Sequence, residues 1–110
     1  MYRNSFSEKE KLWKLLAMPG PLQERPPREL IAAILTFTLQ SRAVFCAQLL
    51  TDWLSLTGIF KNDYYHYRIN TPGTITPHNW SLVLPMPLEK LLVDPVTADI
   101  ATMVRASGRR

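Results

Sequence analysis

The chain has 110 residues, of which 46% are hydrophobic and 20% charged, and its net charge is +4. These values suit one small folded domain and exclude an intrinsically disordered chain. The positive charge alone would be compatible with nucleic-acid binding. Part of it, however, lies in a basic tail over residues 105–110, which can raise the net charge without forming a binding face. We therefore expect no nucleic-acid partner.

Cysteine usage and the apolar runs predict a cytoplasmic setting. The single cysteine, Cys46, cannot form an internal disulfide, which favours a reducing compartment. The first residues, MYRNSFSEKEKLW, carry charges throughout and are unlike a signal peptide. The longest apolar run, LIAAILTFTL, is far shorter than the roughly 20 residues of a membrane span. We expect no membrane partner.

Two helices are predicted in the first part of the chain. Ser7 and Glu10 have the spacing of a capping box, which places the start of the first helix at Ser7. The prolines and glycine of residues 18–23 end it. The second helix is predicted to begin with Pro27 in its first position and to end near residues 40–41.

Residues 43–50, AVFCAQLL, are predicted to form a strand buried on both faces. The run is short, continuously apolar, and partly β-branched or aromatic. A continuing helix is the alternative. The chain offers no second strand of equal quality, which suggests that it belongs to a larger structure. The predicted fold class is therefore α/β, mostly helical with one buried strand.

The rest of the chain is predicted to be loops and short helices. Residues 51–58 read as a helical turn that is capped by Thr51 or Asp52 and closed by Gly58. A tyrosine-rich loop follows at residues 61–68. Near the end, one or two helices are predicted, with a fresh start at Asp94 before a proline.

Motifs for catalysis, metals and cofactors are missing from the sequence. The two histidines, His66 and His78, lie in polar loops. No regular spacing relates them to Asp63, so the sequence does not predict that the three side chains form a metal site. No glycine-rich phosphate loop, serine triad or sugar-cleaving carboxylate pair can be recognised. We predict no catalytic residue, no metal site and no cofactor.

The loops between the strand and the last helices are rich in aromatic and amide side chains. Aromatic rings stack on sugars, and amides exchange hydrogen bonds with hydroxyls. The alternative is that Trp80 fills a core while the tyrosines are half exposed. The group comprises Tyr64, Tyr65, Tyr67, Asn70, His78, Asn79 and Trp80.

The order of these residues resembles the closing segment of the 4-α-glucanotransferases, the amylomaltase or disproportionating-enzyme family (glycoside hydrolase family 77). That family shows Ser-x-Ala, an apolar strand, Asp-Leu-Leu-Gly-Leu, Asn-x-Pro-Gly-Thr and Asn-Trp. Here the corresponding stretches are residues 41–43, VFCAQLL, TDWLSLTG, NTPGT at residues 70–74, and NW at residues 79–80. Upstream, EKLWKLLAMPG is similar to the helix after the family's last catalytic acid. The resemblance covers nearly the whole chain.

This chain departs from the family pattern at two places. Thr51 stands where the family usually has Gln, and Leu82 and Val83 stand where an Arg is usual. The family's nucleophilic Asp, acid/base Glu and third Asp precede the similar segment, and none of them can be placed here.

The resemblance implies the C-terminal portion of a (β/α)8 barrel, a single partial domain over residues 1–110. Its partners would be an α-1,4-glucan or maltooligosaccharide and the remainder of the barrel. Substrate binding would fall to Asn70, Pro72, Gly73 and Thr74, and Asp52, Asn79 and Trp80 would support the loop. The whole enzyme would transfer α-1,4-glucan segments with retention, whereas the 110 residues alone would be inactive.

Two other functions are compatible with the same residues. The first is a non-enzymatic small helical interaction module, or the inactive remnant of a truncated gene. The second, less favoured, is a nucleic-acid binder that stacks bases on YYHYR at residues 64–68.

Overall fold

The computed structural model describes residues 2–61 and 64–109, and for residues 2–5, 64 and 65 it describes the backbone only. All of the regular structure in these residues is helical. The chain divides into two compact units, residues 1–48 with 102–110, and residues 49–101. The helices are α1 (Tyr2–Leu15), α2 (Arg28–Leu39), α3 (Leu50–Leu54), α4 (Leu88–Val93) and α5 (Pro95–Ala106), with 3-10 turns at Ser55–Thr57 and Tyr64–Tyr67.

The predicted buried strand at residues 43–50 is wrong, and so are the α/β class and the barrel portion. No strand occurs in the described residues, and residues 43–49 are irregular, which also excludes the alternative of a continuing helix. Val44 and Phe45 are 85% and 90% exposed. A strand needs a neighbouring strand to satisfy its backbone groups. The described chain supplies none, so β propensity alone cannot form the element.

Side chains, not a backbone ladder, connect the irregular segment to α2. The Gln48 Nε2 donates to the Leu35 carbonyl at 3.0 Å and also to the Thr38 hydroxyl. The Cys46 thiol lies 3.6 Å from the Thr38 carbonyl oxygen. Residues 43–49 are therefore tied to α2 by side-chain hydrogen bonds and not by a backbone ladder.

Arg109, from the predicted basic tail, completes the end of α2. Its Nε donates to the Leu39 carbonyl at 2.6 Å, and its Nη2 donates to the carbonyls of Ser41 at 2.8 Å and Ala43 at 2.9 Å. The last carbonyls of a helix lack partners within the helix, and the negative end of its dipole attracts a cation. One guanidinium thus supplies a donor and a positive charge at the end of α2 and also binds two carbonyls of the chain just beyond the helix.

The start of α1 differs from the prediction. The helix begins at Tyr2, so Ser7 lies inside it and is not its N-cap. Glu10 instead accepts a 2.9 Å salt bridge from Lys14, one turn further along. Both side chains are largely exposed, so the pair contributes only about 0.3–0.5 kcal/mol.

The end of α1 is a Schellman motif built on an alanine. The Met18 N–H donates to the Trp13 carbonyl and the Ala17 N–H to the Lys14 carbonyl, both at 3.0 Å. Ala17 takes a φ of +50°, which is costly for a residue with a Cβ. The buried Trp13 holds the following residues, since its Nε1 donates to the Gly20 carbonyl at 3.1 Å. The helix thus ends just before the proline- and glycine-containing segment that was predicted to terminate it.

Replacing Ala17 by glycine is expected to raise the free energy of unfolding by about 0.5–1 kcal/mol, because glycine adopts this φ without strain. Urea unfolding followed by circular dichroism measures the change. The matched control is Ala33→Gly inside α2, which should lower stability by about 1 kcal/mol. The two alanine-to-glycine substitutions would then change the free energy of unfolding in opposite directions. A loss of stability in Ala17→Gly would contradict the assignment of the motif.

The second and third helices follow the prediction, with differences at their caps. α2 spans Arg28–Leu39, with Pro27 as its N-cap and not its first residue. For α3 the N-cap is Leu49 without a side-chain cap, so the capping role predicted for Thr51 or Asp52 is wrong. The predicted closure at Gly58 is confirmed by its φ of +70°.

The predicted fresh start at Asp94 is confirmed. The Asp94 Oδ1 accepts from the Val96 N–H at 2.9 Å, and Pro95 stands in the first position of α5, where no donor is required. The Thr97 hydroxyl donates to the Leu91 carbonyl at 2.6 Å, at the end of α4. These two contacts fix the corner between the helices.

Each unit has a small set of buried apolar side chains. In the described residues of the first unit they are Trp13, Leu35 and Leu39, and in the second Trp53, Leu54, Leu56 and Val96. None of the helices in the described part of the chain combines the length and the apolar character needed to cross a membrane.

Candidate functional site

A tight turn at residues 71–74 organises the long loop of the second unit. The Thr74 N–H donates to the Thr71 carbonyl at 3.2 Å, which closes the four-residue turn. Pro72 occupies its second position, and Gly73, with a φ of +80°, its third. That combination is the signature of a type II turn, which requires a positive φ at the third residue. The Thr74 hydroxyl also donates to the Thr71 carbonyl, at 2.8 Å.

The Asn79 side chain holds this turn from the other side of the loop. Its Oδ1 accepts from the Thr71 N–H at 3.0 Å. Its Nδ2 donates to the Thr74 carbonyl at 2.9 Å and lies 3.3 Å from the Thr74 hydroxyl. One amide thus binds both ends of the turn, because asparagine carries an acceptor and a donor on the same short side chain.

Trp80 closes the loop through its backbone. Its N–H donates to the Ile69 carbonyl at 2.7 Å, and its φ is +63°. A positive φ is a strained conformation for a bulky residue and costs about 1–2 kcal/mol. The side chain is 77% exposed, so the alternative in which Trp80 fills a core is wrong.

The loop borders an open pocket of about 600 Å³, a volume within the usual range for small-molecule sites. Most of the described side chains in the lining carry a hydroxyl, amide, imidazole or guanidinium group. A tyrosine ring, two aliphatic side chains and the threonine methyl groups add apolar surface. The lining residues are His66, Tyr67, Arg68, Thr71, Thr74, Thr76, His78, Asn79, Ser81, Leu82 and Val83.

Three aromatic rings pack against one another beside this pocket. The Tyr67 ring lies 4.6 Å from that of Phe60 and 5.3 Å from that of His66, centre to centre. The His66 contact is edge-to-face, a favourable arrangement for aromatic rings. Tyr67 and His66 are therefore held by ring packing where they line the pocket. The side chains of Tyr64 and Tyr65 lie outside the described part of the structure.

Only some of the residues predicted to bind substrate or support the loop line the pocket. Thr74 and Asn79 line the pocket, while Pro72 and Gly73 form the turn beside it. Asn70 is half-buried next to the turn and is not among the lining residues.

Trp80 and Asp52, which were both predicted to support the loop, differ in their relation to it. Trp80 supports it through its backbone hydrogen bond, whereas Asp52 is exposed in the first turn of α3 and does not line the pocket.

Sequence reasoning missed several lining residues, in particular Arg68, Thr76 and Ser81. A compositional signal was available for them, since residues 64–88 contain one arginine and two histidines but no Asp or Glu. The Ser81 hydroxyl donates to the His78 carbonyl at 2.8 Å, which fixes the far end of the loop.

Metal chemistry finds no support in the described residues. Within residues 2–61 and 64–109, no three His, Cys, Asp or Glu side chains are grouped in a way that suits a metal ion. Asp63, which was considered with His66 and His78, lies outside the described residues.

Comparison with known proteins gives one partial similarity. Over 91 residues the chain is 33% identical to a 4-alpha-glucanotransferase of Chlamydia pneumoniae. The alignment covers 82% of this chain but only 17% of that relative's length. No protein-family model matches the chain. No solved structure matches it either.

Proposed function

We propose that this chain is a substrate-positioning segment related to the C-terminal part of a 4-α-glucanotransferase, and that its pocket binds an α-1,4-glucan. The observation that carries the proposal is the pocket beside the turn at residues 71–74, with its hydroxyl, amide and ring lining. The partial similarity to a 4-alpha-glucanotransferase supports the same ligand class.

The pocket chemistry suits a polyhydroxyl ligand. Thr71 and Thr76 bring hydroxyls that can both donate and accept, as sugar hydroxyls do. The Ser81 hydroxyl donates to the His78 carbonyl and can accept a further hydrogen bond. The Tyr67 ring offers an apolar surface for a sugar face. Asn70 adjoins the turn, and in this proposal its amide contacts the glucan when the ligand extends beyond the pocket. Pro72 and Gly73 set the direction of that contact by fixing the turn.

The described lining of the pocket offers no groups for glycosidic bond cleavage. A retaining enzyme uses two carboxyl groups about 5–5.5 Å apart. Among the described residues that line this pocket, none is an Asp or Glu. In this proposal the chain therefore positions the glucan. The carboxyl groups that cleave and form the glycosidic bond would belong to another part of a full-length 4-α-glucanotransferase. A cytoplasmic location is part of the proposal.

We expect the 110-residue chain to bind maltoheptaose and to have no transferase activity. Titration with maltoheptaose, followed by NMR of the backbone amides, should shift residues 66–83 in a saturable manner. Incubation with maltotriose should release no glucose and yield no longer maltodextrins. The matched control ligand is a β-1,4-linked glucan of similar length, which has the same hydroxyls in a different shape.

Two outcomes would contradict the proposal. Sustained transfer by the chain alone would show that it carries catalytic groups of its own. Absence of any shift with maltoheptaose would remove the glucan site.

A second candidate is a small helical interaction module without enzymatic function. It is favoured by the apolar side chains that the first unit exposes, among them Phe37, Val44 and Phe45. A stable monomer or dimer in size-exclusion chromatography, together with no response to maltoheptaose, would favour this candidate over glucan binding.

A further inference from the structure

We propose that the indole of Trp80 is a second contact surface for the glucan, just outside the pocket, so that the chain binds long maltooligosaccharides more tightly than short ones. The inference rests on the proposed function, because it extends the same glucan site. A short ligand would occupy the pocket alone. A longer ligand would extend beyond the pocket and place a further sugar ring against the indole.

The first support is the exposure of the Trp80 side chain. Trp80 is 77% exposed, whereas the other two tryptophans, Trp13 and Trp53, are 7% and 5% exposed. Tryptophan is highly buried on average in folded proteins, because its large ring gains much from leaving water. An indole that stays in solvent offers a ligand a broad apolar face and an N–H donor. A sugar ring can use both, since it has an apolar C–H face and hydroxyl acceptors.

The second support is the position of Trp80 in the loop. In the sequence it stands between Asn79 and Ser81, which both line the pocket. Its N–H donates to the Ile69 carbonyl at 2.7 Å, which brings its backbone next to the peptide group that joins Ile69 to Asn70. In the proposed function, Asn70 contacts the glucan where the ligand extends beyond the pocket. The indole is therefore attached beside both the pocket lining and the point where a long ligand would leave it.

The third support is the backbone conformation of Trp80. Its φ of +63° is unfavourable for a bulky residue. A residue that packs in a core could offset this strain by burying its side chain, but the Trp80 side chain is exposed. Strained residues cluster at active sites and ligand-binding sites, where function retains them. A bound sugar ring would cover the indole and supply the apolar contact that the loop itself does not provide.

The first test uses tryptophan fluorescence of the full chain, quenched by iodide at constant ionic strength. Iodide should reach Trp80 but not the buried Trp13 and Trp53. We expect maltoheptaose to reduce the quenching in a saturable manner, because the sugar covers the indole. Saturating maltotriose, which occupies the pocket without reaching the indole, should leave the quenching unchanged. Trp80→Phe should remove the quenchable emission, which assigns that emission to this residue.

The second test compares the affinities for the two sugars by calorimetry. The native chain should bind maltoheptaose at least about tenfold more tightly than maltotriose, the gain from burying roughly 60 Å² of apolar surface. Trp80→Ala should remove most of this difference and leave the affinity for maltotriose unchanged, while Trp80→Phe, which keeps an aromatic face, should retain part of it. The matched control is Leu92→Ala, which removes an equally exposed apolar side chain of the same unit and should preserve the difference.

The outcomes separate this inference from the proposed function. Saturable amide shifts with maltoheptaose, together with unprotected Trp80 and an unchanged length preference in Trp80→Ala, would overturn the inference and leave the glucan site intact. Absence of both amide shifts and protection would overturn both proposals.

Two further results would overturn the inference alone. An equal loss of affinity for both sugars in Trp80→Ala would mean that the side chain supports the loop and does not contact the glucan. Quenching that falls as the protein concentration is raised, with no sugar present, would assign the indole to a contact between two copies of the chain.

Discussion

Replacing Leu54 by alanine is expected to lower the free energy of unfolding by about 2–5 kcal/mol, the usual cost of a large-to-small change in a core. Leu54 is the one side chain in the described residues that is completely buried. Its truncation removes apolar contacts and leaves a cavity in a unit that has few other buried side chains. Urea unfolding of the full chain, followed by circular dichroism, measures the loss.

The control for Leu54 is Leu92→Ala on α4, in the same unit. Leu92 is 76% exposed, so the same chemical change should alter stability by no more than about 0.5 kcal/mol. Similar losses for the two variants would mean that Leu54 is not the centre of a core.

Replacing Asn79 by alanine is expected to weaken maltoheptaose binding at least about tenfold, because the loop loses hydrogen bonds at both ends of its turn. The Thr71 N–H and the Thr74 carbonyl both lose their partner on Asn79. The turn would then have to be ordered by the ligand itself. Amide hydrogen exchange provides a direct readout, since the Thr71 N–H should exchange faster in the variant.

Asn70→Ala is the matched control for Asn79, an amide removed from the same loop. It should weaken maltoheptaose binding through a lost ligand contact while the exchange rate of the Thr71 N–H stays unchanged. If Asn79→Ala left that exchange rate unchanged, the amide would not hold the turn. If both variants bound maltoheptaose normally, the loop would not be the glucan site.

Much of the helical structure follows from local sequence signals. The apolar spacing of α2, the pair Asp94–Pro95 at the start of α5 and the glycine that closes the turn after α3 all act within a few residues. Such signals depend on backbone sterics and on hydrogen bonds between near neighbours, so they can be read without knowledge of the tertiary structure. The capping-box pattern at Ser7 shows their limit, since the helix extends past it to Tyr2.

The prediction for residues 43–50 failed because it depended on a partner. An apolar, β-branched run forms a strand only beside another strand, and the described residues contain none. The path of this segment is instead fixed by side chains that are distant in sequence. Arg109 reaches the carbonyls of Leu39, Ser41 and Ala43 from the other end of the chain.

The candidate site likewise combines features that are encoded locally with features that depend on the tertiary structure. The turn at residues 71–74 is encoded locally, because a proline followed by a glycine restricts the backbone to this conformation. The family resemblance already implied that Asn79 supports the loop, but the atoms of the turn that it binds, and the meeting of Arg68, His66 and His78 at one pocket, follow from the tertiary structure. These residues meet because the loop folds back on itself, and no periodicity or short-range spacing in the sequence encodes that closure.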